Sequence, residues 1–229
     1  AEAEEDNLFD RAFNMSYQWN VHHIMVDIAK GARRVWDLRN AIHSERERYP
    51  REAMRMSFTS NHDENSWSGS EQERFGRALE TMTAMTFLMP STMPLIYTGQ
   101  EVGYNHSFKF FDRDPIPEDS YRENRTTELY RRLAALKHSE RALAAGAVGG
   151  EMIEIENNAK DCMFSFVREV DGSRVVAIVN LSPYTIHADF HTGIYAGDYR
   201  DALTGEKFEL KEHFEQDLAP WSYRILVKK

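Results

Sequence analysis

The sequence predicts an α/β unit followed by an antiparallel all-β sandwich. Strand-like and helix-like patterns alternate over the first ~145 of the 229 residues. A small-residue run, Ala-Ala-Gly-Ala-Val-Gly-Gly at 144–150, then interrupts the alternation. Beyond it, short strand patterns succeed one another with no helical periodicity between them. The expected units are residues 1–146 and 147–229.

In chain order, residues 13–19 alternate apolar and polar, as a short strand does. Residues 21–38 place Ile24, Ile28, Val35 and Leu38 at helical spacings, with Gly31 marking a break. The charged stretch 39–51, ending in Tyr49-Pro50, reads as a surface loop, and 54–60 as a strand. The turn formers at 66–70 lead to a one-faced helix over 71–87, stopped by Pro90. Residues 93–103 read as a buried apolar strand closed by a glycine-flanked Gln-Glu pair. Residues 104–125 form an aromatic and charged loop, long enough to suggest a function. A helix is expected over 127–143, and strands at 163–167, 174–179, 185–190 and 223–227, with turns at Asp171-Gly172 and Thr204-Gly205.

The formal charge of -9 argues against a nucleic-acid surface, which needs a basic face, and suits a neutral ligand. With 41% apolar and 28% charged residues the chain reads as globular, and no run approaches the ~18 apolar residues of a membrane span. The single cysteine, Cys162, cannot form an internal disulfide, and the compartment stays open. His22-His23 lacks the spacing of a metal site, so no metal is assigned.

The chemistry concentrates at 58–65, where an apolar, β-favouring start runs into an amide, an imidazole and two carboxylates. Loops at the carboxyl ends of parallel strands carry active sites in α/β folds, which makes Asn61, His62 and Asp63 candidates and leaves Glu64 as a solvated residue.

The run Phe-Thr-Ser-Asn-His-Asp at 58–63 resembles the Asn-His-Asp motif of the α-amylase family of glycoside hydrolases. Met-Pro-Leu-Ile-Tyr-Thr-Gly-Gln-Glu at 93–101 resembles that family's eighth-strand signature, about thirty residues on with a helix between. The resemblance implies the C-terminal half of a (β/α)8 barrel, about strands five or six to eight, before the sandwich. It implies Glu2 as the general acid/base, with Glu4 the lesser candidate, and Asp63 as the carboxylate that stabilises the transition state. No Arg-x-Asp that fits the family's fourth-strand nucleophile occurs, so this stretch alone is expected to be inactive.

The same resemblance implies a retaining hydrolase or transglycosylase acting on α-linked glucans such as starch. His62 and Asn61 would serve the sugar, Asn61 chiefly by shaping the loop, and Trp67 would stack on it. Tyr97 and Gln100 read as packing and bracing residues before sugar contacts. No cofactor is expected, and any calcium would be held by residues outside this stretch. A half barrel exposes strand edges and an apolar face, so self-association or pairing with the other half is expected. The alternative is a noncatalytic amylase-like module that binds carbohydrate or protein.

Overall fold

A computed structural model of the chain describes residues 5–9 and 11–228. After a short α1 (Asp6–Phe9), the first part builds a three-stranded parallel sheet from β1 (Met15–Tyr17), β2 (Met54–Ser57) and β3 (Thr92–Pro94), in the order β1-β2-β3. The register pairs Met15 with Met54 and Ser57 with Pro94. The ladders run past the strand ends through Gln18 N–H to the Met56 carbonyl (2.9 Å) and Leu95 N–H to that of Ser57 (2.8 Å). Between β1 and β2 lie α2 (Trp19–Ala29) and α3 (Val35–Arg48). Between β2 and β3 lie α4 (His62–Ser68), α5 (Glu71–Phe75), a 3-10 turn at Gly76–Ala78 and α6 (Leu79–Leu88). The helix α7 (Arg125–Ser139) follows the long loop.

Four local expectations are corrected. Residues 39–48 are helical, not a surface loop, and their charges had hidden the apolar stripe. Leu38, Ala41 and Ile42 are buried, while Arg39 reaches across to the second part of the chain. Gly31, at φ +75, closes α2, and the Asp37 carboxylate accepts from Arg34 N–H (2.9 Å) to begin α3. Residues 62–68 form α4 and not a turn, because Asn61 caps it: its Oδ1 accepts from Glu64 N–H at 2.8 Å. The single helix expected over 71–87 is three pieces. Ser70 caps α5, Gly76 at φ +51 turns the chain, and α6 is buried on every face from Thr81 to Leu88. The strand expected over 93–103 is only three residues long, with Thr92 inward against α6 while Met93 and, further on, Ile96 are exposed.

The second part is all β. Its larger sheet has the order β10 (Lys207–Leu210), β9 (Gly197–Asp201), β12 (Tyr223–Lys228), β7 (Ser173–Asn180), β6 (Met163–Val170), β4 (Glu151–Glu154). The smaller runs β11 (His213–Leu218), β8 (Ile186–His191), β5 (Glu156–Asn157), and every pairing in both sheets is antiparallel. Asp171-Gly172, both at positive φ, make the tight β6–β7 turn.

The near-continuous apolar runs of β6 and β7 have a physical cause, since both faces of their sheet are covered. Phe164, Phe166, Val175, Ala177 and Val179 point to the core shared with the helices. Met163, Val167, Val176 and Ile178 point to the smaller sheet, against Ala188, Phe190 and Leu218.

Arg168 lies on the helix-facing side of β6 and is 1% exposed. Its Nη1 donates to the carbonyls of Leu88 (3.0 Å) and Met89 (2.8 Å), its Nε to Gly150 (2.7 Å) and its Nη2 to Ala144 (3.3 Å). One guanidinium therefore caps the end of α6 and holds the connection into the sandwich. Burial pushes its pKa down to about 10. Lys137 of α7 does the same for the carbonyls of Leu143 (2.7 Å) and Phe87 (3.2 Å), and burial, then the Arg168 charge, push it down to about 7.

Replacing Arg168 with Leu strands these carbonyls in the interior, at a cost of about 3 kcal/mol. For a chain of this size the thermal midpoint should fall by roughly 6–12 °C. A circular-dichroism melt that leaves it unmoved would show that the two parts are held by apolar packing alone.

Candidate active site

After β2 and the buried Phe58, the polar residues 59–61 lead directly into α4. Asn61 is buried and spends its Oδ1 on the α4 cap, so it shapes the loop. His62 and Asp63 then occupy the first turn of α4 with their side chains 56% and 44% exposed, His62 Nε2 lying 3.6 Å from Asp63 Oδ1. A carboxylate in the first turn of a helix is favoured by the backbone dipole. This pair faces solvent with free hydrogen-bonding capacity.

Glu64 has a different fate from the one its sequence suggested. It is not solvated: its side chain is 12% exposed and sits 3.4 Å from His22 Nε2, 3.3 Å from His23 Nε2 and 3.7 Å from Arg74 Nη1. The His22 imidazole first, then His23 and Arg74, pull the carboxyl down to about 2. His22 Nδ1–H donates to the Phe58 carbonyl at 3.0 Å, and burial lowers the ring's pKa. In that neutral form Nε2 accepts from Arg74 Nη1 at 3.2 Å; protonated, it would donate to Glu64. Arg74 also donates to the Thr59 carbonyl (2.8 Å) and Ser60 Oγ (2.9 Å), tying α5 to the end of β2. The ligand atoms of His22, His23 and Glu64 lie within 4.8 Å of one another, a spacing a metal could use. Arg74 already places a cation at that spot, so the trio reads as a structural cluster.

A second cluster braces the site from below. Gln100 Nε2 donates to Thr59 Oγ1 (2.8 Å) and to Glu71, Thr59 Oγ1 donates to Glu71 Oε2 (3.0 Å), and Gln100 Oε1 accepts from Tyr97 N–H (2.5 Å). Gln100 is buried and its amide is fully engaged, so it acts by bracing. Burial raises the Glu71 pKa. Tyr97, half-buried, lines a cleft of about 300 Å³ with Phe108, Lys109, Asp114 and Tyr121.

Trp67 lies on α4, not in a loop, and is 67% exposed. Its neighbour Asn65, which sequence reasoning passed over, clamps the long loop. Asn65 Nδ2 donates to the His106 carbonyl (2.8 Å) and its Oδ1 accepts from Phe108 N–H (2.7 Å). Asp114 fixes the same loop by accepting from His106 Nε2 (2.9 Å) and Lys109 N–H (3.0 Å). Glu2, the acid/base candidate, falls outside the described residues.

The unfolded Glu64 takes up its proton near the ordinary 4.5, well before the folded one at about 2. Its stabilising effect is therefore complete above pH 4.5 and is lost as pH falls toward 2. Glu64→Gln should lower the thermal midpoint at pH 7 relative to the parent, with the deficit narrowing by about pH 3. A deficit independent of pH would mean that the carboxylate's charge contributes nothing.

Residues 154–223 match the family described as "Alpha amylase, C-terminal all-beta domain". No curated protein matches the chain. Among solved structures, the noncanonic maltogenic alpha-amylase AmyB from Thermotoga neapolitana superposes with a TM-score of 0.81. It shares 19% identity, over 98% of this chain and 53% of that one. An alpha-amylase from Lactobacillus plantarum gives 0.75 at 21% identity, over 99% and 50%. AmyP, solved in complex with maltose, gives 0.72 at 15% identity, over 94% and 50%. The chain thus spans about half the length of the structures it matches. It carries the alpha-amylase C-terminal all-beta domain, and its fold is that of alpha-amylase-family glycoside hydrolases, consistent with the C-terminal part of such an enzyme.

Proposed function

We propose that this chain forms part of a retaining glycoside hydrolase or transglycosylase acting on α-linked glucans. In this reading residues 1–146 are a partial (β/α)8 barrel and 147–229 its terminal sandwich. The observation that carries it is the exposed His62–Asp63 pair at the carboxyl end of a parallel strand. The fold likeness to alpha-amylases, and to AmyP in complex with maltose, supports the substrate class.

Asp63 would accept hydrogen bonds from sugar hydroxyls, and His62 would donate to the same ring. Such bonds strengthen as the ring gains oxocarbenium character, which lowers the barrier more than it tightens ground-state binding. Glu2 would be the proton donor and later the base. A retaining enzyme needs a nucleophilic carboxylate about 5–5.5 Å from the acid. Four nearby carboxylates are committed elsewhere: Glu64 to His22 and Arg74, Glu71 to Thr59 and Gln100, Glu73 to the Ser70 cap, Asp114 to His106. In this proposal the nucleophile comes from residues outside the chain.

Reducing-end release from maltoheptaose tests the reading. The chain alone should release none, and adding the N-terminal half of a matching barrel should restore turnover. Asp63→Asn should lower the restored rate about 10²–10³-fold. Release by the chain alone, abolished in Asp63→Asn, would place the nucleophile within this sequence. No release under any combination would sink the glycosidase reading.

The exposed Phe13, Met93 and Ile96 support pairing of the open sheet with another half barrel or with a second copy. No helix among the described residues is long and apolar enough to cross a membrane. Light scattering at micromolar concentration should give a mass above that of one chain; a clean monomer would count against the pairing.

A further inference from the structure

We infer that Trp67, Phe110 and Phe111 form a stacking platform for a pyranose ring, the unit of an α-glucan next to the one held by His62 and Asp63. The inference deepens the glucan reading above and rests on it.

Three large aromatic side chains stand exposed together, at 67%, 40% and 86% for Trp67, Phe110 and Phe111. They touch one another: the Trp67 and Phe110 centroids are 5.3 Å apart with planes at 39°, and Phe110 and Phe111 are 4.7 Å apart at 75°. Trp67 and Phe110 make a shallow floor, and Phe111 stands against it as a wall. Exposed apolar surface of this kind is kept for binding more often than by accident. A sugar ring, with a C–H face and a hydroxyl rim, fits a floor that is apolar and a border that is polar.

The platform's position names the occupant. Asp63 and Trp67 are four residues apart on α4, so their side chains share one face, a single turn from each other. The His62 ring lies 6.0 Å from that of Phe110. The aromatic floor thus continues the surface that presents the His62–Asp63 pair. A saccharide held by that pair would carry its neighbouring unit onto the floor.

The platform is also built in advance. Its two halves come from different segments, α4 and the loop after β3, and the Asn65 amide joins them through His106 and Phe108. Asn65 is a positioning residue here: it faces inward on α4 while Trp67 faces out. Pre-ordering removes an entropic cost that binding would otherwise meet.

The test is a titration of the purified chain with maltoheptaose, followed by NMR of the indole N–H groups of its 4 tryptophans and of the His62 ring. The indole signal missing from Trp67→Phe should move saturably. Phe111→Ala should weaken binding about tenfold without changing the thermal midpoint. Asn65→Ala should weaken it comparably, and adding Phe111→Ala to it should cost little more, because the wall is already misplaced.

If the His62 signals respond while the Trp67 indole stays still and Phe111→Ala binds like the parent, the platform is overturned and the glucan reading stands. If nothing responds to the oligosaccharide, both fall. If the indole moves on dilution of the protein but not with sugar, the patch is a contact between copies of the chain and the inference is overturned.

Discussion

Arg168 holds the α-helical layer and the sandwich in one register, and it does so with carbonyls rather than with a carboxylate. A buried ion pair would balance its charge, yet would satisfy only two or three of the guanidinium's donors. Four carbonyls from three segments spread the charge over dipoles that need capping in any case. Leu88 and Met89 lie at the end of α6, where the last carbonyls have no partner within the helix. The charge therefore sits where the helix dipole is negative. Lys137 repeats the device one residue earlier, at the Phe87 carbonyl. Burial is the main reason Lys137 is driven so far down, and the neighbouring Arg168 charge adds to it.

From that anchor the geometry runs to the site through a short covalent path. Two residues beyond Met89 the chain passes Ser91 at φ +57, a left-handed conformation that costs a residue with a Cβ about 1–2 kcal/mol. Such a bend persists only where its surroundings over-determine it. Here Arg168 fixes the preceding carbonyls, and Arg55 N–H binds the Ser91 carbonyl at 2.8 Å. The bend aims β3 alongside β2, so that Gln100 arrives under Thr59 and Glu71. That brace sets the height of the loop from which Asn61 starts α4. A change at the domain junction can thus reach His62 and Asp63 without touching them.

What was legible in the sequence was local. The Asn-His-Asp run, the turn at Asp171-Gly172 and the apolar runs of β6 and β7 each announce themselves within a few residues. The role of Glu64 depends on His22, 42 residues earlier in the chain, and that of Asn65 on His106, 41 residues later, so no window around position 64 could show them. The α3 helix was hidden because its charges outnumber its buried positions. Strands β9, β10 and β11 were missed for a related reason. In β11, for instance, Phe214, Gln216 and Leu218 alternate with His213, Glu215 and Asp217, and only Leu218 is fully buried. Such a strand is specified by its neighbours' hydrogen bonds more than by its own hydrophobicity.

Asp63 and Glu64 show how little residue type alone decides. Both are carboxylates in the first turn of the same seven-residue helix, and their side chains differ by one methylene. The helix separates them by about 100° of rotation. That rotation sends Glu64 toward His22 and Arg74, where its proton is lost down to about pH 2 and its oxygens are engaged. It sends Asp63 outward, along the face that Trp67 shares. A one-residue shift of the cap to His62 would turn Glu64 to the outward place of Asp63 and leave Asn65 in the inward place of Glu64. The buried amide of Asn61 therefore selects which carboxylate faces a ligand, although it need never touch one.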